Sequence, residues 1–286
     1  MSSIPRPGVV LGLVLLLAAL ASTAAAQATS PHLIYATDDA PADTLRIRGW
    51  NDHPERQGWT SEILTTSASS GVNWVVSARS PLGNEALAAN LNTGRIDVLR
   101  WDGNYWTLDW GMALTGANAA HRGAAVAYEQ GSGDALVVHY DNTANPRFRA
   151  WNGSTWTADA PVFDQGAPAF PGTGTVDWIE LAADPTSDRI ALVYSDSNND
   201  VHAVIWDGAD WDEASTETTL TVDGSIFRDF RDVQAAYDSG GNLMVVVARD
   251  QGFDYYTMTA GTTTWVAGGY LRMYNGNASY IDLAVE

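Results

Sequence analysis

Residues able to do chemistry come in pairs at the heads of short apolar runs: Asn73 and Trp74, His121 and Arg122, Asp177 and Trp178, Arg231 and Asp232, Ser279 and Tyr280. Aromatic faces flanked by carboxylate, amide and guanidinium groups suit a carbohydrate, whose C–H faces stack on rings and whose hydroxyls take hydrogen bonds. Trp74, His121, Arg122, Asp177, Trp178, Arg231, Asp232 and Tyr280 are therefore the candidate ligand-binding residues. A plainer account competes with this one, in which the charges are solvated or neutralise each other, Arg122 with Asp177 for instance. Glycosidic hydrolysis needs two carboxylates, about 5–5.5 Å apart for retention or 6.5–9.5 Å for inversion. Asp177, Glu180, Asp232 and Asp282 are the carboxylates placed to supply them. Arg122, Arg228 and Arg231 offer a clamp for a substrate carboxylate, but no motif organises them.

Asp196, Asn198 and Asp200 space oxygen ligands at alternate positions, as calcium loops do. Val201 stands where such a loop would continue with glycine, and a polar turn explains the run without metal. Asp38, Asp39 and Asp43, like Asp250 and Asp254, fall in equivalent turns. No cofactor is therefore expected, with calcium at one of these turns the alternative. The five histidines show no zinc spacing, and no phosphate-binding glycine loop or nucleophile elbow occurs.

The elements that position these residues follow from a tryptophan pair bracketing a tight turn. It reads Trp101-Asp102-Gly103-Asn104-Tyr105-Trp106, then Trp151-Asn152-Gly153-Ser154-Thr155-Trp156, then Trp206-Asp207-Gly208-Ala209-Asp210-Trp211. A looser copy starts at Trp50 and ends at Trp59, and a worn one ends at Trp265. A period of about 50 residues signals a solenoid or propeller, each repeat one supersecondary unit. Asp-Gly or Asn-Gly between β-rich runs marks a hairpin, because both turn positions tolerate positive φ. Two tryptophans facing across it pin register and pack between units, and repetition in every unit makes this primarily a fold signature. The functional alternative is a ring of sugar-stacking platforms, one per unit.

Each unit carries four short strands, A to D. In the unit around Trp206 they are 177–182, 190–194, 201–206 and a run from Asp210. Strand A recurs at 73–78, 122–128, 232–237 and 279–285, and strand B at 85–91, 135–140 and 243–248. The B strands are near-continuous apolar runs, the pattern of strands buried on both faces. The first unit, with B-like 32–36 and C-like 44–50, lacks an A strand, and the last A strand has no unit of its own. Pairing the C-terminal strand with the N-terminal blade would close a ring and remove its edges. The expected fold is all-β, a five-bladed β-propeller of four-stranded antiparallel blades; a longer propeller cut short is the alternative.

The Trp-Asp/Asn-Gly-x-x-Trp element resembles the blade signatures of bacterial and lectin-type propellers, including the tachylectin-like and Photorhabdus-lectin-like groups. It is also similar to the Asp-box hairpin of sialidase-like propellers. Asp102 and Gly103 are adjacent, however, where the Asp-box (Ser-x-Asp-x-Gly-x-Thr-Trp) sets a residue between them. Five-bladed glycosidases place one carboxylate in each early blade; Trp74 and Arg122 stand there in this chain. The resemblance covers residues 27–286 as architecture and transfers no activity, since propellers host lectins, hydrolases, oxidoreductases and scaffolds.

Residues 1–26 read as a signal peptide: Arg6, an apolar run from Val9 to Leu20, and Ala24-Ala25-Ala26 before Gln27. The run is short for a membrane span, although an uncleaved anchor is the alternative. A secreted protein is expected, extracellular or periplasmic, with a single domain over 27–286. There is no cysteine, and the net charge is −19 from 34 acidic and 15 basic residues, every one of the latter arginine. Such a field repels nucleic acid and anionic membranes. It suits a saline habitat, while the absence of lysine also fits GC-rich codon use. Two sequons, at Asn152 and Asn277, read as coincidence. The expected function is non-catalytic recognition of carbohydrate. The alternatives are a propeller glycoside hydrolase, or a structural module that binds an extracellular protein surface.

Overall fold

The computed structural model describes residues 31–36, 45–51, 55, 57–64, 72–92, 94–114, 121–163, 174–221, 233–249, 251–273 and 281–284. The signal segment, Arg231, Asp232, Tyr280, Asp38, Asp39, Asp43 and Asp250 lie outside them. Five antiparallel four-stranded sheets account for the strands, and no helix occurs among the described residues. The first sheet holds β1 (His32–Ala36), β2 (Leu45–Asn51), β3 (Gly58–Trp59) and β4 (Ile63–Leu64), with β3 and β4 both on β2. The second runs β5 (Trp74–Arg79), β6 (Ala86–Asn92), β7 (Arg95–Trp101), β8 (Trp106–Ala113). The third runs β9 (Ala124–Tyr128), β10 (Ala135–His139), β11 (Arg147–Trp151), β12 (Ala160–Pro161). The fourth is β13 (Val176–Ala183), β14 (Ile190–Asp196), β15 (Val201–Trp206), β16 (Trp211–Thr221), and the fifth β17 (Val233–Tyr237), β18 (Leu243–Arg249), β19 (Gly252–Met258), β20 (Trp265–Arg272).

Each of the last four sheets is an up-and-down meander, and their first strands lie side by side, β5 on β9, β9 on β13, β13 on β17. The A strands are therefore innermost, as the repeat predicted. The apolar B strands are buried on both faces because successive sheets stack on them. In β14, Ile190, Leu192 and Tyr194 enter the core shared with the third sheet, while Ala191 and Val193 enter the core shared with the fifth. All seven residues of β14 and all six of β15 are buried.

The turns recur with the strands. Three C–D hairpins take their left-handed residue from glycine, with φ of 99° at Gly103, 81° at Gly153 and 102° at Gly208. Three B–C turns instead use Asn142, Asn199 and Gln251, with φ of 67°, 65° and 58°.

The C-terminal segment differs from expectation. Residues 281–284 form no strand, and Ile281 buries against Val246 and Ala248 of the fifth sheet, with Leu283 beside it. Alternating apolar residues, read as an unpaired strand, here cover a sheet face.

Candidate functional site

The structure gathers most of the predicted inner-strand residues into one cluster. His121 Nδ1 donates to Asp177 Oδ1 at 2.9 Å, and Arg122 pairs with Glu180 and donates to the Ile179 carbonyl at 2.7 Å. The Arg122 guanidinium lies 5.0 Å from the centre of the Trp178 ring, and Trp178 meets Trp74 edge-on at 5.4 Å. The pairing differs from the sequence reading, which joined Arg122 to Asp177. A bulge between Val176 and Trp178 turns Asp177 out of register, leaving Glu180 opposite the arginine. Asp177 is 5% exposed and Trp178 4%, and none of the six residues lines the clefts described below. Asp177, buried, is thus engaged by His121, and Glu180, partly buried, by Arg122. Asp282 is exposed, and Arg231, Asp232 and Tyr280 lie outside the described residues.

The tryptophan hairpins sit at the opposite end of the sheets. Trp101 faces Trp106, Trp151 faces Trp156, Trp206 faces Trp211 and Trp50 faces Trp59 across their turns. Asp102, Asn152 and Asp207 each accept two backbone N–H bonds from residues two and three further on. In the fifth sheet Met258 replaces the first tryptophan opposite Trp265. The rings reach the preceding sheet: Trp206 and Trp211 pack on Phe148, Trp156 on Trp110, Trp101 and Trp106 on His32. Three of the indole N–H groups go the same way. Trp151 donates to Glu85 at 2.9 Å, Trp156 to Asp109 at 2.5 Å and Trp206 to Glu129 at 2.6 Å. Composition gave no hint of these acceptors. Glu85 directly precedes β6, Glu129 directly follows β9 and Asp109 lies within β8, so the three share no common place in the repeat.

These rings also wall two clefts between sheets. One, of about 380 Å³ between the first and second sheets, is lined by His32, Arg79, Asn84, Glu85, Trp101 and Trp106 among others. The other, of about 400 Å³ between the third and fourth, is lined by Glu129, Asp134, Asn152, Trp151, Trp156 and Trp206 among others. Burial raises the carboxyls of Glu129 and Asp134, and the charge of Asp188 adds to both. Bonds from Ser132 and Trp206 oppose the rise at Glu129 without cancelling it. Burial lowers the His32 imidazole. Volumes of 300–1,000 Å³ with aromatic walls and a few polar groups are typical of ligand sites.

The proposed calcium run is rearranged. Asp196 Oδ1 accepts the backbone N–H of Asn198 at 2.8 Å and of Asp200 at 3.1 Å, so Asn198 serves the turn through its backbone. Asp196 Oδ2 lies 3.2 Å from His202 Nε2, and ligand atoms of Asp196, Asp200 and His202 all fall within 4.8 Å of one another. Burial works to raise the Asp196 carboxyl, but His202 and the two amides outweigh it and hold it low.

Comparison with protein-family models and with curated proteins finds no match. The fold is similar to that of the BP39L lectin from Burkholderia pseudomallei, with TM-score 0.57 and 13% identity over 82% of this chain. The match covers 64% of the BP39L chain, so this chain spans less than two thirds of that protein. It is also similar to PpgL, the periplasmic gluconolactonase of Pseudomonas aeruginosa, with TM-score 0.54 and 10% identity over 87% of this chain and 69% of that one. Both are β-propellers, and the likeness places the five sheets in that fold class.

Proposed function

We propose that this protein is a secreted, non-catalytic carbohydrate-recognition module whose five sheets act as propeller blades and whose inter-sheet clefts take sugar rings. The observation that carries the reading is recurrence. Clefts of similar volume stand between two different pairs of sheets, each walled by a hairpin tryptophan pair with acid and amide groups beside it. A single reaction centre needs no such repetition, whereas multivalent binding gains avidity from it. Indole faces take the apolar side of a pyranose, and Asp134, Asn84 and Arg79 offer partners for hydroxyls. The fold alone does not choose, since a lectin and a lactonase share it. Against hydrolysis stands the engagement of Asp177 and Glu180 by His121 and Arg122.

A glycan array on the secreted protein, followed by calorimetry with the best hit, tests this. Arg79→Ala and Asp134→Ala should each weaken binding about tenfold or more and lower the stoichiometry, leaving the far-ultraviolet spectrum unchanged. Binding that neither substitution alters, or turnover of the bound glycan, would sink the proposal.

A further inference from the structure

Asp196, Asp200 and His202 form the one cluster of potential metal ligands among the described residues. We propose that they bind a divalent transition-metal ion of zinc type, through His202 Nε2, Asp196 Oδ2 and the Asp200 carboxylate. Three observations carry this. The 3.2 Å between Nε2 and Oδ2 matches neighbouring ligands on a tetrahedron of 2.0–2.1 Å radius, which are about 3.3 Å apart. The wider separations, up to 4.8 Å, involve a carboxylate at a half-buried turn that makes no side-chain hydrogen bond among the described residues, so a rotation can close them. Second, a side chain at Gly174 would place its Cβ 2.5 Å from Asp196 Oδ2. Only glycine keeps the backbone that close to the carboxylate.

Third, Tyr194 lies beside the cluster. It sits on the same face of β14 as Asp196, two residues away, and directly opposite His202 in the β14–β15 register, the rings 4.9 Å apart. Tyr194 is 1% exposed, yet its hydroxyl has no hydrogen-bond partner among the described residues. A buried orphan hydroxyl is costly and calls for an acceptor; a metal-bound carboxylate or water supplies one. A dication also offsets the repulsion between two carboxylates this close. The imidazole selects zinc over calcium, which prefers an all-oxygen shell. His202 was invisible to the sequence pattern because it lies across the turn on the next strand.

The test is calorimetric titration of the chelator-treated full chain with Zn²⁺, with Co²⁺ absorption and melting as further readouts. The expected result is one zinc per chain, a raised melting temperature, and visible Co²⁺ bands of tetrahedral intensity. His202→Ala should abolish binding, but removing a buried ring also destabilises the fold. Asp200→Asn, at the turn, keeps the test sound: it should fold as the native chain does without metal and bind zinc at least about tenfold more weakly. No heat and no melting shift would overturn the site, as would equal affinity in Asp200→Asn. Calcium binding as tightly as zinc would overturn the imidazole ligand.

Discussion

Trp206 on the fourth sheet donates its indole N–H to Glu129 on the third at 2.6 Å, and both side chains are at least 95% buried. This bond ties two sheets at the end where Asp188 of the fourth also accepts the N–H groups of Gly131 and Ser132 of the third. Glu129→Ala leaves that N–H buried without an acceptor, which costs about 1–3 kcal/mol. Glu129→Gln keeps a carbonyl for it and should cost less than half as much. Urea unfolding of both variants at pH 7 measures the difference; equal losses would refute the role given to the bond.

The hairpin glycines make a second prediction. Gly153 and Gly208 both have φ near +90°, but an added Cβ at Gly153 meets nothing within 4 Å, whereas at Gly208 it lies 3.0 Å from the Asp188 Cβ. Both alanine variants bear the cost of a left-handed backbone, about 1–2 kcal/mol. Gly208→Ala should lose more, because Asp188 also holds the neighbouring turn by accepting the N–H groups of Gly131 and Ser132. Paired thermal melts decide it: equal shifts would show that Asp188 yields freely.

Those hairpins were the most legible part of the sequence, and the reason is local. Trp-Asp-Gly fixes a turn with residues that are neighbours in the chain, so spacing alone revealed it. The B strands were legible for a related reason, since burial on both faces leaves a continuous apolar run. What stayed hidden depends on stacking between sheets. Glu129 is a turn residue until the fourth sheet brings Trp206 to it, and Glu180 meets Arg122 only where the third and fourth sheets stack. Trp74, His121, Arg122, Asp177 and Trp178 lie together, with Arg122 paired to Glu180 in place of the Asp177 offered as an example.

That cluster yields a third prediction. Trp178 is packed on Trp74 and beneath Arg122, so Trp178→Ala removes a buried ring and should cost about 3–5 kcal/mol. Glycan binding per folded molecule should not change, because Trp178 lines neither tryptophan-walled cleft. Asp177→Asn keeps an oxygen for His121 and should be mild. Any hydrolytic activity that Asp177→Asn abolished would instead make the cluster a catalytic centre.

Stability should peak in mild acid, because two carboxyls, Asp159 half-buried and Glu129 buried, work in opposite directions. Asp159 lies between His139, at 2.9 Å, and Arg147, at 2.5 Å. Burial pushes its carboxyl up, but those two partners prevail and hold it low. A depressed acid stabilises the fold above its unfolded value, about pH 3.9, and that contribution disappears as pH falls through the lower folded value. Glu129 is the reverse case. Burial raises it, so its contribution is full below about pH 4.3 and is lost as pH climbs through the folded value. Net charge adds to the second trend: the chain is near neutrality at pH 4.3 and carries −19 at pH 7, where self-repulsion weakens the compact state. Melting temperature should therefore rise from pH 3 to a maximum between about pH 4 and 5.5, then decline towards pH 8. Salt at about 1 M should flatten the alkaline decline by screening, while leaving the acid limb, which rests on short buried bonds, nearly intact. Glu129→Gln should remove part of the decline even at low salt, and Asp159→Asn should blunt the acid limb. A wild-type profile that climbs steadily to pH 8 would show that the raised Glu129 and the net charge are both outweighed by the ion pairs.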